Sequence, residues 1–519
     1  MSDRRDQRLK TVSLVILITL LGRVLGLGRE MLLAQTFGTG WEADALSMAS
    51  LLPRTFFDAV FASAVAASFI PVYTETLELE GRGAADRLAS SFFTIVGLAA
   101  ATLTAVGMIF APQVIALMTD FAPQTAALAS DLLVIIFPSL FFTGLAFSMV
   151  GVLNSLGQFN VPAAMSIASN GILIVYFLFF APRFGVYGAA VAFAIGWGAQ
   201  AIMQVPSLVK RGFRYRPGLR HPGLKKIFRL MLPVMASSWI QPINMLIIAR
   251  FATAWEGGAA SLNYANGLYI MVAGIFVLSV TNVIFPEMSR LSATGDRRAL
   301  GDVVRDTTRT LLFLLIPMTL GLMILATPLV QLLYEYRGAF DEHSTALTAS
   351  ALAFMSLGMV GYGIQNVLIR AFYAEKRGRP PLIAGIVGVA VNVLLCLLLV
   401  DAMGVAGLAL ASAVSLLMTA LVLIPGAHRM LGGQLVTGKL LLELGKMVLA
   451  ALVMAVAVWF VRELLAGALG GGTILMRIGL VLAPTAAGGL IYLGLAHILK
   501  LDEMKVLRGY LRKRRGEGV

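Results

Sequence analysis

Cysteine is almost absent from this chain. Cys396 is the only one in 519 residues, and it sits in an apolar run, so no intrachain disulfide can form. Histidine is nearly as scarce: His221, His343, His428 and His497 are widely separated and offer no metal-ligand spacing. Charge is thin as well, at 13% of residues against roughly 25% in soluble domains. A phosphate-binding loop is also missing. The nearest match, Gly433 to Leu440, lacks the final Ser or Thr that would hold magnesium and has no strand before it. Direct ATP hydrolysis is therefore not expected, which leaves an ion gradient or the membrane potential as the energy source. No cofactor is expected, and any coupling ion is left open.

What the chain has is apolar sequence. Hydrophobic residues make up 58% of it, and the mean hydropathy is +0.86. The runs are long and unbroken, whereas barrel strands would alternate polar and apolar residues over about 10 positions. The expected class is an all-α polytopic membrane protein. Spans of about 20 residues fit at 12-37, 44-70, 89-117, 126-150, 162-182, 186-208, 225-251, 262-288, 304-328, 345-372, 381-401, 404-427, 440-465 and 473-499, about 14 transmembrane helices in all.

The net charge of +14 is distributed by loop, not by domain. Arg4, Arg5, Arg8 and Lys10 fall on one side with the loop Lys210 to Lys226, then Arg290, Arg297 and Arg298, Lys376 to Arg379, His428 to Lys439, and the tail Lys505 to Arg515. The opposite loops carry Glu42, Asp120, Arg183, Glu256, Glu335, Arg337, Asp341, Glu342 and Asp401. By the positive-inside rule both termini are cytoplasmic, which requires an even number of spans. Membrane orientation accounts for the basic loops, so nucleic acid is not an expected partner. The first helix is expected to stay in the mature protein, because no small-residue cleavage site follows the basic start and Arg23 interrupts the region where one would fall.

The chain also repeats itself. FNVPAAMSIASNGILIVYFLFFAPRFGVYGAAVAFA, around Pro162, is echoed around Pro381 by GRPPLIAGIVGVAVNVLLCLLLVDAMGVAGLALASA. Pro162 to Pro381 and Gly188 to Gly407 are both offsets of 219 (381 − 162 and 407 − 188), so the echo needs no gap. Pro71 and Pro286 make a fainter pair. Two six-helix lobes in the same orientation imply parallel pseudo-symmetry and a rocking transporter. The expected organisation is 1-215 for the N-terminal lobe, 216-432 for the C-terminal lobe, and 433-519 for two further helices with a basic cytoplasmic tail.

Charges set within spans cost about 2.5 to 3.5 kcal/mol each on insertion scales and therefore line wet cavities or bundle interiors. Arg23, Arg29, Glu30, Asp44, Arg54 and Asp58 cluster in the first two expected spans. Arg23, Arg29 and Arg54 are candidate anion ligands, since guanidinium stays charged and its planar fork suits phosphate. Asp44, Glu30, Asp58 and the intervening Pro53 are candidates for gating or coupling. The plain alternative for Arg29 is an ion pair with Asp44 or Glu30. A membrane protein that transports nothing would have no need for charges at such depth.

Gly22-Arg23-Val24-Leu25-Gly26, Arg29-Glu30, Phe37-Gly38, Ala43-Asp44-Ala45, Leu52-Pro53 and Phe69-Ile70-Pro71 together resemble the opening of the MurJ (MviN) family of lipid II flippases. Phe137-Pro138, Leu153-Asn154, Val161-Pro162, Tyr264-Ala265-Asn266 and Ala371-Phe372-Tyr373 continue the resemblance over nearly the whole chain.

The resemblance implies a member of the multidrug/oligosaccharidyl-lipid/polysaccharide (MOP) exporter superfamily in the bacterial inner membrane, acting as a monomer. It implies a central cationic cavity for the pyrophosphate and sugar-peptide head of lipid II, and a groove in the last two helices for its polyprenyl tail. Arg23, Arg29 and Asp44 match positions the family uses. Three positions depart from the pattern: Phe57, Ala62 and Gly267 stand where the family often has arginine, glutamate and arginine. A flippase for another undecaprenyl-linked sugar would share the fold and the cationic site. A drug/cation antiporter of the superfamily would instead favour an acidic cavity.

Overall fold

The protein is described by a computed structural model covering residues 2–55, 61–336, 338–469 and 473–504, with the side chains of 2–12, 52, 54, 236, 237, 240, 241, 468 and 469 outside that description. All regular structure among these residues is helical. Contacts divide the chain into two units, Met1–Ala260 and Ser261–Val519.

The first unit contains α1 (Ser2–Phe37), α2 (Trp41–Arg54), α3 (Ile70–Leu79), α4 (Arg82–Ile109), α5 (Pro123–Ile136), α6 (Pro138–Ser155), α7 (Met165–Phe179), α8 (Ala181–Ile202), α9 (Pro222–Ser238) and α10 (Ile240–Ala252), with shorter turns between them. Proline opens α5, α6 and α9, where its missing N–H removes no helical bond. Helix α1 packs on α7, α2 on α5, α4 on α6, and α7 on α8. A π-helical turn, Val65–Phe69, precedes α3 and packs on α9.

The second unit follows through α11 (Gly258–Tyr269, which begins at the boundary), α12 (Ile275–Ala293), α13 (Arg297–Leu333), α14 (Glu342–Ser356), α15 (Met359–Ala374), α16 (Arg379–Met430), α17 (Gly438–Leu469) and α18 (Ile474–Ile498). Carboxylates cap two of these: Asp296 accepts from the Ala299 amide at 3.0 Å, and Asp341 from the Ser344 amide at 2.8 Å. Exposed aliphatic residues such as Leu17, Ile202, Leu398 and Leu490 coat the helices, as a hydrocarbon solvent requires.

Nine helical stretches among the described residues are long and apolar enough to cross a membrane, or up to ten when α14 and α15, bent by 46°, count as one span. The expected total of about 14 is not reached by this measure, for identifiable reasons. Helix α16 is counted once although it holds two expected spans. The expected span 44-70 runs through residues 56–60, outside the description, 225-251 is divided between α9 and α10, and α1, which holds the expected span 12-37, is not among the nine.

The sequence echo has a structural counterpart. Gly185 interrupts α8 near its start with φ 54° and ψ −148°, and Gly404 interrupts α16 with φ 54° and ψ −131°; their separation is 404 − 185 = 219 residues. Each helix hairpin also closes on one serine against one glycine, in opposite order. In the first unit a Cβ on Gly196 would lie 3.4 Å from Ser169; in the second, Ser415 Oγ donates to Gly388 O at 2.8 Å. The offset from 169 to 388 and from 196 to 415 is again 219.

Candidate functional site in the first unit

Gly22 and Gly26 form a small-xxx-small pair on α1 that lets it approach α7 closely. A Cβ on Gly22 would lie 2.2 Å from Ser166 Oγ, and one on Gly26 would lie 3.4 Å from Asn170 Nδ2. At that distance Asn170 reaches across the helix pair. Its Nδ2 donates to Gly22 O at 3.1 Å, and its Oδ1 accepts from Arg29 Nη1 at 3.2 Å. Arg29 lies nearly one turn beyond Gly26, on the same side of α1, which is why one asparagine can hold both a backbone carbonyl and a guanidinium.

Arg29 also donates through Nη2 to Glu30 Oε1, and its Cζ stands 5.9 Å from the centroid of the Phe193 ring. Both charged side chains are mostly buried, at 14% and 15% exposure. Arg29 Nε and Glu30 Oε2 are buried without a hydrogen-bond partner among the described residues. The ion pair thus keeps unused donor and acceptor capacity at low dielectric, where an unmade bond costs about 1–3 kcal/mol.

Arg29 lines a cavity of about 390 Å³ inside the first unit. Pro53, Ser139, Asn170, Trp197 and Gln200 share its wall. Ile136, Phe147, Met165, Leu173 and Phe193 make the larger part of the wall apolar, so one guanidinium with a few hydroxyls and amides is the polar spot to which an anionic group could bind.

The remaining expected site residues lie elsewhere. Arg23 is exposed and does not line this cavity. Asp44 is buried in the first turn of α2, where Oδ2 accepts from the Gly257 amide at 2.6 Å and Oδ1 from the Ala260 amide at 2.8 Å. It therefore caps the start of α11, and the expected pairing with an arginine is not the arrangement found: of the two carboxylates proposed for Arg29, Glu30 is the partner. Gly257 has φ 78°, and a Cβ there would meet Thr39 O at 2.6 Å, so the turn before α11 lies tightly against the α1–α2 turn. The Arg54 side chain, Asp58 and Phe57 lie outside the described residues.

Two residues went unassigned in the sequence. Asn170 is one; the signal was an asparagine within the expected span 162-182. Arg370 is the other. From α15 it donates to Asn282 Oδ1 at 2.8 Å and stands 5.7 Å over the Phe285 ring. Gly267, where the family often has arginine, has open space around it: a Cβ there meets nothing within 4 Å.

Among the described residues the chain is all-helical, with nine stretches long and apolar enough to cross a membrane and a buried ion pair beside a cavity, the build of a multi-pass membrane transporter. In fold it is similar to an inward-facing multidrug resistance MATE family transporter of the MOP superfamily, with TM-score 0.70 and 16% identity over 81% of this chain and 98% of that one. The family is more specific. The model for lipid II flippase MurJ matches residues 33–479, and the chain belongs to that family. It is 31% identical over 511 residues to "Probable lipid II flippase MurJ" of Rhizobium meliloti (strain 1021), covering 95% of this chain and 94% of that one. The lipid II flippase MurJ of Burkholderia cenocepacia is 29% identical over 425 residues, 79% of this chain and 82% of the relative. A solved lipid II flippase MurJ in an inward closed conformation superposes with TM-score 0.79 at 26% identity, covering 95% of this chain and 99% of that one.

Proposed function

We propose that this protein is a flippase of the bacterial inner membrane that moves lipid II, the lipid-linked peptidoglycan precursor, from the cytoplasmic to the outer leaflet by alternating access. Family membership supports the substrate class. The observation that carries the mechanism is Arg29, held by Asn170 on the wall of a largely apolar cavity with Nε unused. In this reading the pyrophosphate takes Arg29 from Glu30. Guanidinium offers five donors in a fork, and a bidentate phosphate contact exceeds what one carboxylate neighbour provides. Arg23, exposed outside this cavity, and Arg54 are proposed as further contacts to the substrate along its path, and Asp44 as the gating carboxylate. Both termini are placed in the cytoplasm, with lobes 1-215 and 216-432 followed by the segment 433-519, in a monomer.

The test is replacement of the essential flippase in a bacterium depleted of its own copy. Growth with this protein at normal membrane levels supports lipid II. Failure despite expression favours a second reading, a flippase for another undecaprenyl-linked sugar, which the absence of family charges at Phe57, Ala62 and Gly267 supports.

A further inference from the structure

Helix α13 carries two internal prolines, Pro317 and Pro328. A proline inside a helix has no N–H for the carbonyl four residues earlier, so Pro317 frees Phe313 O and Pro328 frees Ile324 O. In a membrane such a carbonyl finds no water and must be satisfied by neighbouring protein. Both are satisfied from the final helix pair. Tyr492 of α18 donates from its hydroxyl to Phe313 O at 2.9 Å, and Arg462 of α17 donates from Nη1 to Ile324 O at 2.8 Å.

The same seam continues in both directions along α13. Arg477 Nη1 donates to Gln331 O at 2.9 Å and to Glu335 O at 2.7 Å, carbonyls that a helix leaves open at its C-terminus. In the N-terminal half of the helix Arg309 pairs with Glu443 at 3.3 Å and with Glu503 at 2.5 Å, from α17 and from just beyond α18. Positions 309, 313, 324 and 331 fall within an arc of about 60° at 100° per residue, so these are contacts of one face. Between them lies an apolar core of Leu312, Ile316, Leu325, Met447, Met454 and Val458.

We propose that Pro317 and Pro328 are docking points for the C-terminal helix pair, and that Tyr492 and Arg462 are positioning residues that replace the missing backbone donors. The pair α17–α18, which lies outside the internal repeat, is thereby made an integral part of the second unit. This does not depend on which substrate is carried.

Double-mutant cycles on the full chain in detergent, read as the folded-to-unfolded ratio, test it without a transport assay. Tyr492→Phe keeps the ring, which packs 5.2 Å from Phe313, and removes only the hydroxyl. It should lower the ratio about tenfold in the wild type. In a Pro317→Ala background residue 317 supplies its own N–H to Phe313 O, and the same change should cost less than about twofold. Arg462→Met should behave likewise with and without Pro328→Ala. Equal costs in both backgrounds would overturn the proposal. Failure of both Pro→Ala variants to accumulate would overturn it too, since restoring the helical bond would then not be tolerated; if one accumulates, its cycle decides.

Discussion

Gly185 and Gly404, 219 residues apart, share one backbone conformation, with φ 54° at each and ψ of −148° and −131°. This region is essentially closed to side-chain-bearing residues. A Cβ at either position meets nothing within 4 Å, so backbone strain is the whole penalty. Gly185→Ala and Gly404→Ala should each destabilise the protein by about 1–3 kcal/mol, measured by unfolding in detergent. At Gly188 the obstacle differs: a Cβ there meets Tyr176 Oη at 2.5 Å, Phe184 Cβ at 2.6 Å and Tyr176 Cε2 at 2.8 Å, so Gly188→Ala should destabilise by overlap and Tyr176→Phe, which removes only the hydroxyl, should not restore it.

At the cavity, Arg29→Ala should abolish transport while membrane levels stay near normal, and Arg29→Lys should restore it only in part, because a point charge lacks the fork. Asn170→Leu should act on the same site, since Asn170 holds Arg29 and Gly22 O together. Arg23→Ala is expected to abolish transport as well. Growth of a flippase-depleted strain, with membrane protein quantified in parallel, checks all four; normal growth with Arg29→Ala would remove the phosphate-site reading.

Asp44→Ala leaves the buried amides of Gly257 and Ala260 without their acceptors, at a cost of roughly 1–3 kcal/mol. Asp44→Asn keeps one acceptor oxygen and should fall between. Cysteines placed near Asp44 and at Glu256 should cross-link readily in the native background and less in Asp44→Asn. Unchanged yields in both variants would leave Asp44 as a helix cap without a part in gating.

Topology is checked by fusions. Reporters at the N-terminus and after Arg515 should give cytoplasmic signals, while a tag near Glu256 should be reached from outside. An external C-terminus would contradict the charge distribution of the loops.

The residues that the sequence exposed were those whose chemistry is costly in lipid or whose spacing recurs. Arg29 and Glu30 announced themselves as charges within a span, and Pro162 with Pro381 gave the offset at which Gly185 and Gly404 later appear. Asn170 did not stand out, because one amide among small polar residues in SIASNGIL looks like ordinary helix packing. Asp44 was visible, but its partners were not: backbone amides 213 and 216 residues away leave no side-chain trace. A proline such as Pro317 shows in the sequence that a carbonyl is freed; that Tyr492 serves it depends on a tertiary neighbour. The class of fold was legible from hydropathy alone, while the span count was blurred where helices run on across Gly404 or break near Trp239.

The serine and glycine that close each helix hairpin stand in opposite order, Ser169 with Gly196 and Gly388 with Ser415. At one and the same offset of 219 residues the small partner stands on opposite helices of the two hairpins, and both hairpins close. A graft of one helix alone would bring two serines together or leave two glycines facing a gap. A serine at position 388 would also meet Thr419 Oγ1, 2.2 Å from where its Cβ must lie. The hairpin is therefore the smallest piece that could be exchanged between the halves with both contacts kept.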